Sequence, residues 1–150
     1  DNVKSPFDLL SYLKKINTNI VIFTGGEPLM HDLTDVSNIL SKEGYQVHLE
    51  TSGAYPLTGN WDWITLSPKK IKPPLDEIYQ FSSELKIVIY NHHDFEWALE
   101  QEEKTNKSCL LYLQPEWSKI NVMQPKILDF ISKNPRWKLS LQMHKYLNIK

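Results

Sequence analysis

Short apolar runs that alternate with helical patterns constrain the fold of this chain more than any other feature of its sequence. The runs are rich in β-branched and aromatic residues and are bounded by glycine, proline and short polar residues, which is typical of strands. They predict six strands, at Ile20–Phe23, Gln46–Thr51, Trp63–Ser67, Leu85–Tyr90, Cys109–Leu113 and Trp137–Gln142.

Apolar residues at helical spacing separate most of these strands. They predict helices at Ser5–Ile16, Leu33–Leu40, Leu75–Phe81, Asp94–Lys104 and Ile120–Ser132. Strands that alternate with helices indicate parallel pairing through right-handed crossovers, although the link from Ser52 to Asp62 is nearly too short for one. We therefore predict an α/β fold: an open, partial (β/α) barrel of about six mostly parallel strands with outer helices. We expect residues 1–150 to form a single domain, with a first strand missing upstream of the first helix.

Composition excludes several classes of partner. The net charge of -1 provides no basic surface for nucleic acid and no polybasic segment for a membrane. The apolar runs are too short to span a bilayer, and no signal peptide is visible. The single cysteine, Cys109, cannot form an internal disulfide and is expected in the core. A cytoplasmic location follows as the expectation.

Polar residues follow five of the six predicted strands. The clusters are Thr24–Pro28, Glu50–Gly53, Ser67–Lys70, Gln114–Trp117 and Gln142–Lys145. The carboxyl ends of parallel strands meet at one rim of a barrel, where active sites are built, so the five clusters should meet at one site. Any one cluster taken alone could be a solvated turn. The sixth strand end, Tyr90–Asp94, is typical of a polar helix start.

The first cluster has the chemistry of a ligand site. Gly25 and Gly26 remove side chains where a ligand would approach the backbone. Glu27 offers a carboxylate suited to an ammonium group, and Pro28 stiffens the exit from the turn.

Thr24-Gly25-Gly26-Glu27-Pro28 resembles the Gly-Gly-Glu-Pro motif of the radical S-adenosylmethionine superfamily. The other clusters narrow the resemblance to the 7-carboxy-7-deazaguanine synthase family, from about Ile20 to the C-terminus. The segments that carry it are Leu49–Gly53, Ser67–Lys69, Leu85-Lys86, Gln114-Pro115 and Leu139–Leu147.

The resemblance implies a carbon–nitrogen lyase. It implies reductive cleavage of S-adenosylmethionine at a 4Fe-4S cluster and conversion of 6-carboxy-5,6,7,8-tetrahydropterin to 7-carboxy-7-deazaguanine, assisted by Mg²⁺. The product feeds 7-deazapurine synthesis, including queuosine in transfer RNA, although the enzyme itself handles only the small precursor. An electron donor protein and a homodimeric assembly are implied as well.

The resemblance also implies site residues. S-adenosylmethionine would contact residues at three strand ends: Gly25, Gly26, Glu27, Ser67, Pro68, Lys69, Gln114, Pro115, Glu116 and Trp117. The pterin would lie near Thr24, Glu50, Gln142 and His144. The Glu50 carboxylate is a natural partner for the guanidine-like face of a pterin. His144 could instead be a partly buried histidine, and Lys86 could be a member of a buried ion pair.

Two departures from the family pattern limit what this chain can do. Met143 stands where the family usually has threonine. The CxxxCxxC loop is absent, and one cysteine cannot replace three thiolate ligands of a cluster. The magnesium ligand beside that loop would be absent too. We therefore expect neither a metal site nor a catalytic residue in this chain, and no activity from it alone.

These departures predict an N-terminally truncated member of the family, with CxxxCxxC encoded upstream of Asp1. Two alternatives stay open. The chain could be a cluster-free relative that acts as a binding or regulatory module. It could also belong with activases that generate glycyl radicals on a partner protein, which share the Gly-Gly-Glu-Pro stretch.

Overall fold

The computed structural model describes residues 5–149. Among them lie six strands: β1 (Ile20–Phe23), β2 (Gln46–Thr51), β3 (Trp63–Leu66), β4 (Glu84–Ile89), β5 (Leu110–Pro115) and β6 (Trp137–Leu139). The helices of this part are α1 (Pro6–Leu13), α2 (Thr34–Lys42), α3 (Ile78–Phe81), α4 (His93–Glu102), α5 (Ile120–Lys133) and α6 (Met143–Tyr146). Two 3-10 helices, Pro28–Met30 and Trp117–Lys119, follow β1 and β5.

The strands form one parallel sheet in the order β1-β2-β3-β4-β5-β6. Each strand therefore pairs with the next one along the chain, and all carboxyl ends lie at one edge. This arrangement confirms the predicted α/β class with six parallel strands and outer helices. Within residues 5–149, no helix combines the length and the apolar character that crossing a membrane requires.

The core lies between one face of the sheet and the helices. Along β4, Leu85, Ile87 and Ile89 alternate with less buried residues and are 0% exposed. Leu111 and Leu113 continue the same layer on β5. Because side chains alternate across a strand, the residues between them point to the other, inner face of the sheet. We call the first face the outer face.

Helix α1 begins where the sequence indicates. The Ser5 side chain accepts a hydrogen bond from the backbone N–H of Asp8, and Pro6 occupies the first turn. Leu10 and Leu13 pack with Leu40 and Val47 on the outer face. The helix ends at Leu13, before the predicted Ile16, which is 43% exposed.

Several predicted boundaries differ from the structure. Helix α3 begins at Ile78 rather than Leu75, because the preceding segment contains Pro73 and Pro74 and has no regular secondary structure. No helix connects β2 to β3 in this described part, as the short link indicated. Strand β6 ends at Leu139 rather than Gln142, since the chain turns there into the unpredicted helix α6.

Candidate functional site

Two adjoining cavities occupy the rim formed by the carboxyl ends of the strands. The glycine-side cavity has a volume of about 220 Å³ and is lined by Thr24, Gly25, Gly26, Glu50, Thr51, Ser52, Ser67 and Lys69. The β6-side cavity has a volume of about 370 Å³ and is lined by Glu50, Ser67, Lys69, Lys86, Val88, Gln114, Ser140, Leu141, Gln142 and His144. The three residues common to both are Glu50, Ser67 and Lys69.

The turn after β1 leaves one wall of the glycine-side cavity open. Gly25 and Gly26 have φ values of 87° and 55°, in the left-handed region that disfavours other residues. A Cβ atom built on either glycine would meet no atom within 4 Å. The conformation therefore requires glycine, and the space that side chains would fill stays free beside the backbone.

The Glu27 carboxylate is already engaged by its own chain. Its Oε1 accepts from Thr51 Oγ1 at 2.5 Å and from the Leu29 N–H at 3.1 Å. Its Oε2 accepts from the Ser52 N–H at 2.8 Å and from the Ser52 hydroxyl. Burial alone would raise the pKa of Glu27, but these hydrogen bonds outweigh it and hold the pKa below its ordinary value. Glu27 thus ties the end of β1 to the end of β2, and a ligand ammonium would have to replace a hydroxyl donor.

Lysine side chains dominate the charge of the rim. Lys69 Nζ donates to Ser67 Oγ at 3.3 Å, and Lys86 forms an ion pair with Glu50. Partial burial lowers the pKa of Lys69, and the Lys86 charge lowers it further, against the opposing effect of Glu50 and Glu27. Two lysines and one carboxylate line the β6-side cavity, which favours a ligand that carries a negative group.

Gln142, which lines the β6-side cavity, carries an unpartnered acceptor. Its Oε1 is buried and has no hydrogen-bond partner among residues 5–149. A buried acceptor without a partner costs about 1–3 kcal/mol, so a ligand N–H or O–H at this position would be stabilised. Helix α6, which begins just after Gln142, also brings His144 to the cavity.

Besides Glu27, four predicted residues do not line the two cavities. Pro68 is buried beside the rim, and Pro115 belongs to the buried side of β5. Glu116 caps the 3-10 helix after β5, accepting from the Ser118 N–H at 2.9 Å and hydroxyl at 2.5 Å. Trp117 and His144 line a separate opening of about 440 Å³. The structure thus brings nine of the predicted residues to the two cavities: Thr24, Gly25, Gly26, Glu50, Ser67, Lys69, Gln114, Gln142 and His144.

The sequence analysis assigned several cavity residues to no ligand, although it named Lys86 as a possible member of a buried ion pair, which the structure confirms. Lys86, Val88 and Ser140 lie on the inner face of β4 and at the end of β6. Alternation along the strands would have identified the inner-face positions, since Lys86 falls between the apolar residues Leu85 and Ile87. Thr51 and Ser52 belonged to a predicted cluster and line the glycine-side cavity.

The polar segment Tyr90–Asp94, which the sequence analysis did not assign to the site, leads into helix α4. Asp94 is buried and accepts hydrogen bonds from the N–H groups of Tyr90 and Asn91, at 2.8 and 2.9 Å. Lys70 Nζ lies 2.5 Å from Asp94 Oδ1. These hydrogen bonds from Tyr90 and Asn91 to Asp94 stabilise the beginning of α4, as the sequence predicted.

A larger cavity, of about 660 Å³, lies away from this rim between α4 and α5. Phe95, Leu99, Pro125 and Phe130 form its apolar lining, together with charged residues of both helices. None of the residues that the sequence predicts for ligand binding lines this cavity; nine of them line the two smaller rim cavities.

The chain is similar to known proteins over most of its length, although no family model matches it. A 7-carboxy-7-deazaguanine synthase from Flavobacterium psychrophilum is 56% identical over 86% of this chain and 61% of that protein. One from Prochlorococcus marinus is 35% identical over 87% of this chain and 68% of that protein. The crystal structure of QueE from Escherichia coli superposes with a TM-score of 0.80 at 29% identity, covering 92% of this chain and 64% of that one. The chain thus spans about three fifths of the Flavobacterium relative.

Proposed function

Since the chain belongs to the 7-carboxy-7-deazaguanine synthase family, we propose that it forms part of such a synthase. In this proposal the whole protein is a radical S-adenosylmethionine enzyme and a carbon–nitrogen lyase. It converts 6-carboxy-5,6,7,8-tetrahydropterin to 7-carboxy-7-deazaguanine in queuosine biosynthesis. The observation that carries the proposal is the pair of adjoining rim cavities that share Glu50, Ser67 and Lys69. One enzyme of this kind must hold two ligands side by side.

The glycine-side cavity suits S-adenosylmethionine. The open backbone at Gly25 and Gly26 admits the methionine end, while Lys69 offers an ammonium group for its carboxylate. Glu27 supports this cavity from behind by fixing Thr51 and Ser52 in its wall. When bound, S-adenosylmethionine would supply the deoxyadenosyl group from which the radical arises.

The β6-side cavity suits the pterin. Glu50 and the unpartnered Oε1 of Gln142 are acceptors for the N–H groups of a pterin edge. Lys69 and His144 bring positive or protonatable groups to the same space, matching the ligand's carboxylate, while the Lys86 ammonium is paired with Glu50. In this proposal the residues of the β6-side cavity bind or orient the ligand and transfer no proton.

The residues of this chain do not fit a 4Fe-4S cluster. Cys109 is the one cysteine of the sequence and lies in the core, where burial raises the pKa of its thiol to about 11. Residues 5–149 contain no group of three histidine, cysteine or acidic side chains that could hold a metal ion. In the proposal, the cluster and the Mg²⁺ ion depend on ligands that this chain does not supply.

The remaining parts of the proposal follow from the family. The synthase would act in the cytoplasm as a homodimer and would take electrons from a donor protein. Its substrate is a small molecule, and neither nucleic acid nor a membrane is a direct partner. The formal net charge of -1 supports the last point.

Anaerobic cluster reconstitution tests the proposal. The 150-residue chain should retain no four-iron cluster by iron counting and absorption spectroscopy, and should form no 7-carboxy-7-deazaguanine. The same protein extended at its N-terminus by a segment with the CxxxCxxC loop of the Flavobacterium relative should do both. The control is that extended protein with the three cysteines changed to serine. A reconstituted extended protein that forms no product would overturn the proposal.

A cluster-free binding module remains the second candidate, favoured by the single buried cysteine. It predicts that the 150-residue chain binds S-adenosylmethionine with an affinity that the N-terminal extension leaves unchanged. Calorimetric titration of both proteins separates the two candidates, because cluster coordination in the synthase would tighten this binding.

A further inference from the structure

Lys86 occupies the inner face of β4, next to the proposed pterin position. Its side chain is 16% exposed and lines the β6-side cavity. It forms an ion pair with Glu50 of β2, reaching across the intervening strand β3. A half-buried ion pair that spans a strand fixes the direction of both side chains, because each has its charged end held by the other.

The ion pair uses only one side of the Glu50 carboxylate. Lys86 Nζ donates to Oε1, and in the described part of the chain Oε2 has no hydrogen-bond partner. The Glu50 side chain is 37% exposed and lines both rim cavities. Lys86 therefore holds the carboxylate by one oxygen and leaves the other free for a ligand.

Because other charged groups act on Glu50, the direction in which its carboxylate points depends on Lys86. Lys69 lines both cavities with Glu50 and attracts it from the rim side. Glu84, two residues before Lys86 on the same face, repels it from the other side; burial, opposed by Lys86, raises the pKa of Glu84. Without the Lys86 ammonium, Glu50 would turn toward Lys69 and away from the wall of the β6-side cavity that Lys86 forms.

We propose that Lys86 is a positioning residue that sets ligand specificity through Glu50. It aims the free carboxylate oxygen at the 2-amino group and N3–H of a pterin, and it makes no direct contact with that edge. The inference deepens the proposed function and rests on it. It predicts discrimination between a pterin and a lumazine, in which a carbonyl oxygen replaces the 2-amino group and would be repelled by the carboxylate.

Fluorescence titration of the 150-residue chain with 6-carboxypterin and 6-carboxylumazine tests this. The unmodified chain should prefer 6-carboxypterin. Lys86→Met should weaken 6-carboxypterin binding about tenfold, the effect of one lost charge-assisted hydrogen bond, and change 6-carboxylumazine binding less than about twofold. Lys86→Arg, which keeps the ion pair, should restore most of the preference.

Two further variants separate positioning from a general structural or charge effect. Lys138→Met removes the same charge from an exposed lysine of β6, on the same face of the sheet, and should leave the preference unchanged. Glu50→Gln should lose the preference by itself. Adding Lys86→Met to Glu50→Gln should then have little further effect, because the lysine acts through the carboxylate.

The outcomes are distinct. Equal weakening of both ligands by Lys86→Met, or an unchanged preference, would overturn the positioning role. If Lys86→Met does not fold, as judged by circular dichroism, retention of the preference in Glu50→Gln would overturn it instead. Failure of the unmodified chain to bind either ligand would contradict the pterin site of the proposed function, and this inference with it.

Discussion

The two faces of one sheet differ in what they contribute to this protein. On the outer face, Leu85, Ile87 and Ile89 of β4 are fully buried against the helices. On the inner face, Lys86 and Val88 of the same strand line a polar cavity. Adjacent residues therefore serve different ends: the outer face supplies the apolar burial that stabilises the fold, and the inner face supplies the groups that would contact ligands.

This division explains how the polar rim is tolerated. A charged pair such as Lys86–Glu50 contributes little net stability, since desolvation offsets much of the attraction. The apolar layer behind it keeps the strand in place. Substitutions on the two faces should then separate stability from binding, and the following predictions test that separation in order of decreasing effect.

The largest effect is expected on the outer face. Ile87→Ala should lower the free energy of unfolding by about 2–5 kcal/mol, because it leaves a cavity in a fully buried layer. The matched inner-face change, Val88→Ala, should cost about 1 kcal/mol or less, since Val88 already borders a cavity. Urea unfolding of both variants measures the difference. Equal losses would show that the faces are not divided as described.

The next largest effect is expected at Glu27, which links the ends of β1 and β2 at the rim. Glu27→Gln should destabilise by about 1–3 kcal/mol, because the amide cannot accept from all four donors. Glu116→Gln is the matched control, a surface carboxylate that caps the other 3-10 helix, and should cost much less. If Glu116→Gln destabilised the chain as much as Glu27→Gln, the hydrogen bonds of Glu27 would not be what ties the end of β1 to the end of β2.

The same carboxylate should give the stability a dependence on acid. The folded-state pKa of Glu27 lies below its ordinary value of 4.5, so its contribution is fully present above that pH. The contribution is lost as the pH falls from about 5 through the lowered pKa. Urea unfolding from pH 7 to pH 3 should therefore show the unmodified chain and Glu27→Gln converging in acid. A constant difference between them would oppose this account.

A smaller but separate test uses Cys109, the residue just before β5. Burial raises the pKa of its thiol to about 11, so little thiolate forms near neutral pH. Alkylation by iodoacetamide at pH 8 should be at least about tenfold slower in the folded chain than in urea. Comparable rates would place the thiol outside the buried layer.

The smallest effect is expected on the solvent side of the helices. Lys133 and Asp129 form an exposed i,i+4 pair on α5, with an Nζ–Oδ2 distance of 2.7 Å. Asp129→Asn should change the free energy of unfolding by about 0.5 kcal/mol or less, because water and salt screen such a pair. A loss near that of Ile87→Ala would mean that the helix surface contributes to stability as the sheet does.

Local pattern predicted much of this arrangement. The strand β1 has the predicted bounds, and β2 does as well, because β-branched and apolar runs bounded by turn residues specify a strand locally. The polar clusters at five of the six strand ends could also be predicted to reach one rim, once parallel pairing was inferred. The predicted end of β6, at Gln142, was wrong because the four residues of helix α6 are too few to show a helical pattern in the sequence.

Contacts between distant residues could not be predicted in the same way. Glu27 meets Ser52, 25 residues away, and Lys86 meets Glu50, 36 residues away. Neither spacing leaves a periodic signal, since each contact depends on the register of neighbouring strands and the packing of side chains at the rim. Glu27 therefore appeared in the sequence as a free carboxylate for a ligand, whereas the structure engages it with four donors.

The sequence by itself determined the order of strands and helices, the alternation that buries one face of the sheet, and the polar clusters at the strand ends. These properties depend on residues close together along the chain. Only the tertiary structure decided which polar groups meet: Lys86 with Glu50, Glu27 with Thr51 and Ser52, and Gln142 Oε1 with no partner in the described range. The physical reason is that hydrogen bonds and ion pairs require side chains within a few ångströms, and parallel strands bring together residues from distant parts of the chain.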